Sequence, residues 1–471
     1  VKETKQCRSG AIRRKKRINF SVCSLQTPCL MNRTEYIALE ILTQIRTAGF
    51  TAYYAGGSVR DRLLGRPAKD YDIVTDALPE QIEALFEKTV AVGKAFGVIV
   101  VVQDGIETEV ATFRTDGGYQ DGRRPDTVAF CGAEEDARRR DFTVNGMFYD
   151  PIDDRVIDFV GGKNDLDKKI IRAIGNPEKR FAEDHLRMLR AVRFAFTLGF
   201  KIEPDTRAAI EKHAADLAKI STERIENEFS RILTESLRPG DALRELVDLG
   251  LMEQILPELL PMIGQQQPPQ FHPEGDVFEH TALMLNLMNH PARTLAYAVL
   301  LHDIGKPATA FKGEDRLRFH GHERKSAEMA EEILRRLRLP AKEIRQIVKA
   351  IEGHMRFKDV QKMNRSTLRK LLGADTFDLE LELHRIDCEG SHGILDNYHF
   401  LRDKLKELEH EPALPARWIT GKDLSEIGVA PGPRMGELLK EAYDAQLEGR
   451  FADRGALLAW LRQTSAQQNR S

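Results

Sequence analysis

A chain of 471 residues has room for about two to four domains, and its 41% hydrophobic content is ordinary for a globular protein with a buried core. Its 71 basic residues nearly cancel 73 acidic ones, leaving a formal charge of −2; this excludes a uniformly basic nucleic-acid binder, so any such site must come from local clustering. No apolar run is long enough to cross a membrane, and five cysteines without paired metal-ligand spacing favour reduced thiols in a reducing compartment, the cytoplasm.

Residues 1–30 differ in character from the remainder of the chain. The run Arg13-Arg14-Lys15-Lys16-Arg17 sits among Ser, Thr and Cys with no helical period and no long apolar core. That argues against a secretory signal and leaves two readings, an organellar transit segment or an over-extended start. Met31 directly precedes the periodic positions Tyr36, Leu39, Ile41, Leu42 and Ile45, so a helix is expected there and Met31 is expected to be the physiological start.

Tyr53 to Asp76 reads YYAGGSVRDRLLGRPAKDYDIVTD. The apolar start followed by Gly56-Gly57 predicts a strand turning sharply into a helix, because glycine admits a ligand close to the backbone where a β-carbon would collide. Backbone N–H groups at that helix start, with Ser58 and Arg60 beside them, suit a phosphate. Gly65 and Pro67 stop the helix, and Asp70–Val74 is expected to resume as a strand with Asp70 and Asp72 on one face. Two carboxylates on a stiff strand beside a phosphate turn make a Mg²⁺ site, since this hard cation takes oxygen ligands from protein and substrate together.

Either feature alone is common in structural turns. In sequence, Gly-Gly-X-Val-Arg-Asp with Asp-X-Asp about ten residues on resembles the nucleotidyltransferase head of the tRNA CCA-adding enzyme and bacterial poly(A) polymerase family. That family lies in the DNA polymerase β superfamily, and the chain is similar to its class II, built of head, neck, body and tail. The resemblance implies that Asp70 and Asp72 are catalytic and that Gly57 and Arg60 bind nucleotide.

Pro79 opens a helix through Glu87, and Val98–Gln103 is expected to pair with Ile106–Phe113 across Asp104-Gly105, a strong hairpin signal. Glu109 on the second strand is either the third acidic ligand of the superfamily or a plain exposed carboxylate. Where bacterial poly(A) polymerases usually carry an Arg-Arg-Phe-Arg-like run, this chain has Gly93-Lys-Ala-Phe96-Gly97-Val98. Arg114 to Pro125 is rich in glycine and charge and is expected to be a mobile loop. In the resembled family a flexible loop here helps the switch from CTP to ATP.

Arg139-Arg140-Asp141-Phe-Thr-Val-Asn145 is similar to the family's second motif, which implies that Arg140 contacts nucleotide and that Asp141 and Asn145 face the sugar or the phosphates. A guanidinium suits a triphosphate because its planar fork donates to two oxygens at once. In Glu183-Asp184-His-Leu-Arg187-Met-Leu-Arg190-Ala-Val-Arg193-Phe194, the three-residue steps place Asp184, Arg187 and Arg190 on one helix stripe. Left to itself, the pattern fits a salt-bridged amphipathic helix. It also matches the family's base-reading motif, which implies that Asp184 and Arg187 hydrogen-bond the base edge, with Arg190 and Arg193 as phosphate or structural partners. A carboxylate accepts from the amino group of cytosine or adenine and an arginine donates to the ring acceptor beside it; uracil and guanine present the wrong pattern.

A second constellation lies further along the chain. His280 lies in a helical stretch, the apolar run Leu295–Leu301 ends in His302-Asp303-Ile-Gly305-Lys306-Pro307, and His322, His354 and Asp387 come later. His…His-Asp…His…His…Asp resembles the HD phosphohydrolase domain. Imidazoles and carboxylates of this kind hold one or two transition ions or Mg²⁺ and activate a water; His280, His302, Asp303 and Asp387 are the expected ligands, with His322 and His354 beside them. A degenerate, metal-free domain that only cradles RNA is the other reading.

The expected fold is α+β. A polymerase-β-like head with a mixed sheet (31–160) follows the unassigned extension (1–30), then come an all-helical neck and body (161–264), a helical HD domain (265–410) and a closing helical segment (411–471). The expected function is template-independent addition of CCA to tRNA from CTP and ATP, with Mg²⁺ in the head and a transition metal in the HD centre. The alternatives are poly(A) or A-only addition, an HD-only phosphohydrolase, and a non-catalytic RNA-binding module. No membrane partner is expected, and the sequence is silent on oligomeric state.

Overall fold

The computed structural model describes residues 31–117, 127–268, 272–273, 275–314, 316–408 and 411–468. The basic extension and the centre of the glycine-rich loop lie outside the described residues. Helix α1 (Arg33–Thr47), capped by the Asn32 side chain on the Glu35 N–H, buries Ile41, Leu42 and Ile45 as expected, but Ile37 in place of Tyr36, which is exposed. The head then builds β1 (Ala52–Ala55), α2 (Gly57–Leu63), β2 (Asp72–Thr75), α3 (Pro79–Leu85), β3 (Thr89–Gly93), β4 (Val98–Gln103) and β5 (Ile106–Thr112). After β6 (Arg114–Gly117), β7 (Thr127–Phe130) and α4 (Ala133–Arg139), β8 (Phe148–Asp150) and β9 (Arg155–Ile157) complete it.

Seven strands form one sheet in the order β3-β4-β5-β2-β1-β8-β9. Only the β2–β5 pair is parallel, so the sheet is mixed as expected. Asp104 and Gly105 both take positive φ, the geometry a two-residue hairpin between twisted strands needs, and Gln103 faces Ile106. One sheet face packs on α1 through Ile73, Ile99 and Val110; the other carries a smaller core of Ala55, Val74, Phe113 and Phe148.

Two expectations about the head change. Asp70 precedes β2, which begins at Asp72, because the Lys69–Tyr71 backbone makes no ladder with β1 beyond Ala55↔Asp72. The expected loop at 114–125 starts as a strand, Arg114–Gly117, which pairs with Thr127–Phe130 just beyond it.

Beyond the head the chain is mostly helical: α5 (Gly162–Lys168), β10 (Ile170–Ile171), α6 (Pro177–Glu183), α7 (Arg187–Leu198), β11 (Lys201–Ile202), α8 (Pro204–His213), α9 (Thr222–Glu235), α10 (Pro239–Asp248) and α11 (Met252–Ile255). The HD segment contributes α12 (Val277–Leu287), α13 (Arg293–Leu301), α14 (Lys306–Thr309), the short pair β12 (Phe311–Lys312) and β13 (Leu317–Arg318), α15 (His322–Arg336), α16 (Ala341–Gly353), α17 (Arg365–Leu372), α18 (Phe377–Gly390) and α19 (Asp396–Glu407). The closing segment is α20 (Gly421–Glu426), α21 (Pro433–Leu447) and α22 (Arg454–Gln468) around its own core of Ile419, Leu424, Leu438 and Leu457. No helix among the described residues is long and apolar enough to cross a membrane.

Candidate active site in the head and metal centre in the helical half

Gly56, at φ +70°, turns β1 into α2, and a β-carbon there would stand 3.6 Å from an Arg140 guanidinium nitrogen and 3.8 Å from Asp72 Oδ2. The turn therefore brings bare backbone against one cation and one carboxylate, the environment a phosphate beside a metal requires. Asp72 and Glu109 extend the β2–β5 register by one step beyond Ile73↔Val110, on the face that carries Val74 and Ala111.

Burial first, then the charges of Asp70 and Glu109, push the Asp72 carboxyl up to about 6, with Arg140 opposing. Three carboxylates that repel one another across a partly covered cleft fit a hard divalent cation. Asp70, in the loop before β2, is near enough for its charge to raise Asp72.

Residues 139–145 join this cleft to the helical body. Arg140 ends α4, pairs with Asp136 at 3.0 Å and lies over the Phe148 ring. Asp141 is buried and engaged inward, accepting from Arg190 Nε at 2.9 Å and Nη2 at 2.6 Å, from the Phe142 N–H and from Asn145 Nδ2. Asn145 Oδ1 in turn accepts from Arg60 Nη1 at 2.8 Å. So Asp141 and Asn145 hold arginines in place, where the sequence placed them against the sugar or the phosphates. Arg60, Arg190 and Arg193 gather around the Phe194 ring. Arg193 is buried and donates to Glu228 Oε2 at 2.6 Å, a structural pairing.

The single stripe expected for Asp184, Arg187 and Arg190 is broken. Asp184 stands between α6 and α7 in extended backbone, because its own Oδ1 accepts the Leu186 N–H and halts the helix, as aspartate does at helix starts. Its Oδ2 accepts from Arg224 Nη2 at 2.8 Å. Arg187, on α7, is held by Glu183 at 2.6 Å, by the Arg180 carbonyl at 2.9 Å and by the Arg139 carbonyl. Arg187 is thereby anchored to Arg139, next to Arg140 at the carboxylate cleft. Glu183 and Arg224 were not among the residues the sequence singled out; a cation in the first turn of α9, against the helix dipole, was the one signal that could have marked Arg224.

In the helical half, His280, His302 and Asp387 offer ligand atoms within 4.8 Å of one another, and Asp303, His322 and His354 do the same. Nδ1 of His302, His322 and His354 faces the carbonyls of Val299, Phe319 and Ile351 at 2.8, 2.8 and 2.6 Å. A ring that donates from Nδ1 presents a lone pair at Nε2. Yet His322 Nε2 and His354 Nε2 stand 3.2 Å apart, and two lone pairs at that distance repel unless a proton or a metal cation lies between them.

His302 Nε2 sits 3.1 Å from Asp303 Oδ2 and His322 Nε2 3.4 Å from Asp303 Oδ1, neither in hydrogen-bond geometry. Burial opposes ionisation of Asp303, but His302 and Lys306 hold its carboxyl well below the usual range; burial pushes His354 down to about 4, where it stays neutral and able to ligate. The donor set fits a transition ion. The centre opens into a cavity of about 850 Å³ whose wall includes Lys306, Arg316, Arg318 and Lys358.

The protein-family model described as the Poly A polymerase head domain matches residues 52–172, a probable RNA- and SrmB-binding site of polymerase A matches 199–263, and the HD domain matches 277–387. The CCA-adding enzyme of Latilactobacillus sakei subsp. sakei (strain 23K) is 49% identical over 215 residues, which are 45% of this chain and 54% of that protein. The chain thus spans about half the length of that relative. The CCA-adding enzyme of Bacillus subtilis (strain 168) is 34% identical over 422 residues, 88% of this chain and 94% of that protein. Among solved structures, the Bacillus stearothermophilus CCA-adding enzyme in complex with CTP superposes with a TM-score of 0.73 at 30% identity, covering 93% of this chain and all of that one.

Proposed function

The chain belongs to the CCA-adding enzyme family of nucleotidyltransferases, and from that premise we propose that it adds CMP, CMP and AMP to the 3′ end of tRNA from CTP and ATP. The observation that carries this reading is the 139–141 segment, where Arg140 stands at the Gly56–Asp72 cleft, the Arg139 carbonyl accepts from Arg187 and Asp141 accepts from Arg190. A nucleotide whose triphosphate lies at the Gly56-Gly57 turn has a base-reading pair within the same framework.

In this proposal Arg60 and Arg140 bind the triphosphate oxygens, and Asp184 accepts from the exocyclic amino group that cytosine and adenine share while Arg187 donates to the neighbouring ring acceptor. Asp70 and Asp72 would hold Mg²⁺, with Glu109 beside them, and the ion supplies positive charge for activating the terminal ribose hydroxyl and for the leaving diphosphate. The hydroxyl oxygen bonds to the α-phosphorus as the bond to diphosphate breaks. Arg190 and Asn145 act through Asp141 and Arg60 as positioning residues, and basic side chains of neck and body would hold the tRNA phosphates, so binding weakens with salt. A cytoplasmic place of work agrees with this substrate.

The lone-pair arrangement at His322 and His354 favours a second activity, metal-dependent hydrolysis of a phosphoester in the HD centre, with transition ions held by His280, His302 and Asp387 and by Asp303, His322 and His354. One experiment tests both. Protein incubated with tRNA lacking its CCA end and with each nucleotide in turn is expected to add C, C and A; Asp70→Ala loses transfer and keeps hydrolysis of a chromogenic phosphoester, and His302→Ala does the reverse. Poly(A) tails without use of CTP, or transfer by Asp70→Ala at the wild-type rate, would refute the head reading.

A further inference from the structure

The lysine and arginine side chains on the wall of the cavity over the HD centre differ in burial: Arg316 and Lys358 are exposed and Arg318 is half-buried, whereas Lys306 is 6% exposed. A lysine is seldom buried without partners, because its ammonium gives up its hydration. Lys306 has two. Its Nζ pairs with Asp303 Oδ2 at 2.7 Å and donates to Gln267 Oε1 at 2.6 Å. Asp303 Oδ1 accepts no hydrogen bond among the described residues and stands 3.4 Å from His322 Nε2. The carboxylate thus keeps one oxygen for an ion shared with His322 and His354 and gives the other to the lysine.

Gln267 lies ahead of α12, outside the run of histidines and aspartates that marks the HD centre. It is itself buried, and its partner settles which way its amide points. An ammonium only donates, so the amide oxygen faces Lys306 and the NH₂ group faces away. That NH₂ group is buried and has no hydrogen-bond partner among the described residues. A buried donor left unsatisfied is destabilising, and leucine or methionine would fill similar space without one. Interior packing therefore does not account for a glutamine at 267, whereas its hold on Lys306 does.

We infer that Gln267 is a positioning residue of the HD centre: it holds the Lys306 ammonium beside Asp303 so that the remaining N–H bonds face the cavity and bind a phosphoryl oxygen of the phosphoester. The inference rests on the metal-dependent hydrolysis proposed for that centre. An ammonium carries three N–H bonds and Gln267 takes one of them; with the stem and that bond fixed, the directions of the other two are fixed as well. Without Gln267 the four-carbon stem rotates freely. The ammonium then loses its aim at the phosphoryl group while Asp303, His322 and His354 keep their places.

Kinetics, metal titration and melting of the full chain test this together. Wild type is expected to hydrolyse p-nitrophenyl phosphate with Mn²⁺; no turnover would defeat the hydrolysis reading itself, and the inference with it. Gln267→Leu is expected to raise both the KM for that ester and the inhibition constant of inorganic phosphate about tenfold, one charge-assisted hydrogen bond, with little change in kcat because the contact is made equally before and during reaction. Its Mn²⁺ affinity, measured by calorimetry without phosphate, should equal that of wild type. Its metal-free melting temperature should also match, since the lost acceptor and the removed unsatisfied donor offset one another. Gln267→Glu, which still offers Lys306 an oxygen, should keep the wild-type KM. In a Lys306→Met background, Gln267→Leu should shift neither constant further. Wild-type constants in Gln267→Leu, a matching loss of Mn²⁺ affinity in that variant, or a further rise in the double variant would overturn the inference. Gln267→Met serves if Gln267→Leu does not show a cooperative melt.

Discussion

Asp72 is held between opposing forces: burial, Asp70 and Glu109 raise its carboxyl to about 6 while Arg140 pulls it down. A carboxyl whose folded pKa exceeds its unfolded one costs stability when ionised. The cost is absent below the unfolded value of about 3.9, grows through the window up to about 6 and is complete above it, on the order of 3 kcal/mol. Asp72→Asn without divalent metal is therefore expected to melt higher than wild type at pH 8 and alike at pH 4, and Mg²⁺ at pH 8 should raise wild type towards the variant. A lower melting temperature for Asp72→Asn at pH 8 would contradict the repulsion. Close spacing made it legible that Asp72 would stand beside the Gly56-Gly57 turn. The sequence hid what Asp141 and Asn145 do, since the arginines they hold, Arg190 and Arg60, lie 49 and 85 positions away.

Between residue and fold, the turns were easier to read than the joins. Asp104-Gly105 announced its hairpin, whereas β3 and β8 are short strands completed by their neighbours, and the break between α6 and α7 is invisible in a pattern that stays helical on both sides. The join that matters most to the head is Gly162, at the start of α5. A β-carbon there would lie 2.2 Å from the Thr143 carbonyl oxygen and 2.8 Å from the Met147 side chain. The 143–145 turn carries Asn145, the acceptor for Arg60. Gly162→Ala should therefore cost about 1–3 kcal/mol through overpacking and also weaken CTP binding. Gly161, at φ +77° with nothing near its β-position, should lose only about 1 kcal/mol as alanine, the price of a left-handed backbone, and keep its affinity. Thermal melts and CTP titrations of the two variants separate the cases; equal effects would show that close approach to Thr143 is not the constraint.

At the scale of the molecule, one apolar core runs from Ile37 in α1 to Ile386 in α18, so the boundary expected at 264/265 is not a break in packing. Body and HD segments share it intimately: a β-carbon on Gly240 of α10 would stand 1.8 Å from the Ala282 carbonyl oxygen of α12, Arg244 pairs with Glu279 at 2.6 Å, and Ser230 reaches Tyr297. By contrast, the core of 419–461 is separate, and it meets α17 through polar contacts such as Lys370–Asp444 and Ser366–Glu448. Composition and motif spacing carry no trace of that difference, because it depends on which helix faces meet. A fragment of residues 31–264 would bare Phe229, buried against Tyr297 of α13, and the Gly240 face of α10, and is expected to aggregate or melt without cooperativity. A fragment of residues 31–408 keeps the continuous core and should retain the main calorimetric transition within a few degrees. Cooperative unfolding of 31–264 at the full chain's temperature would mean that α12 and α13 merely lie against the body; loss of that transition in both fragments would mean that the polar contact with the closing segment holds the core together.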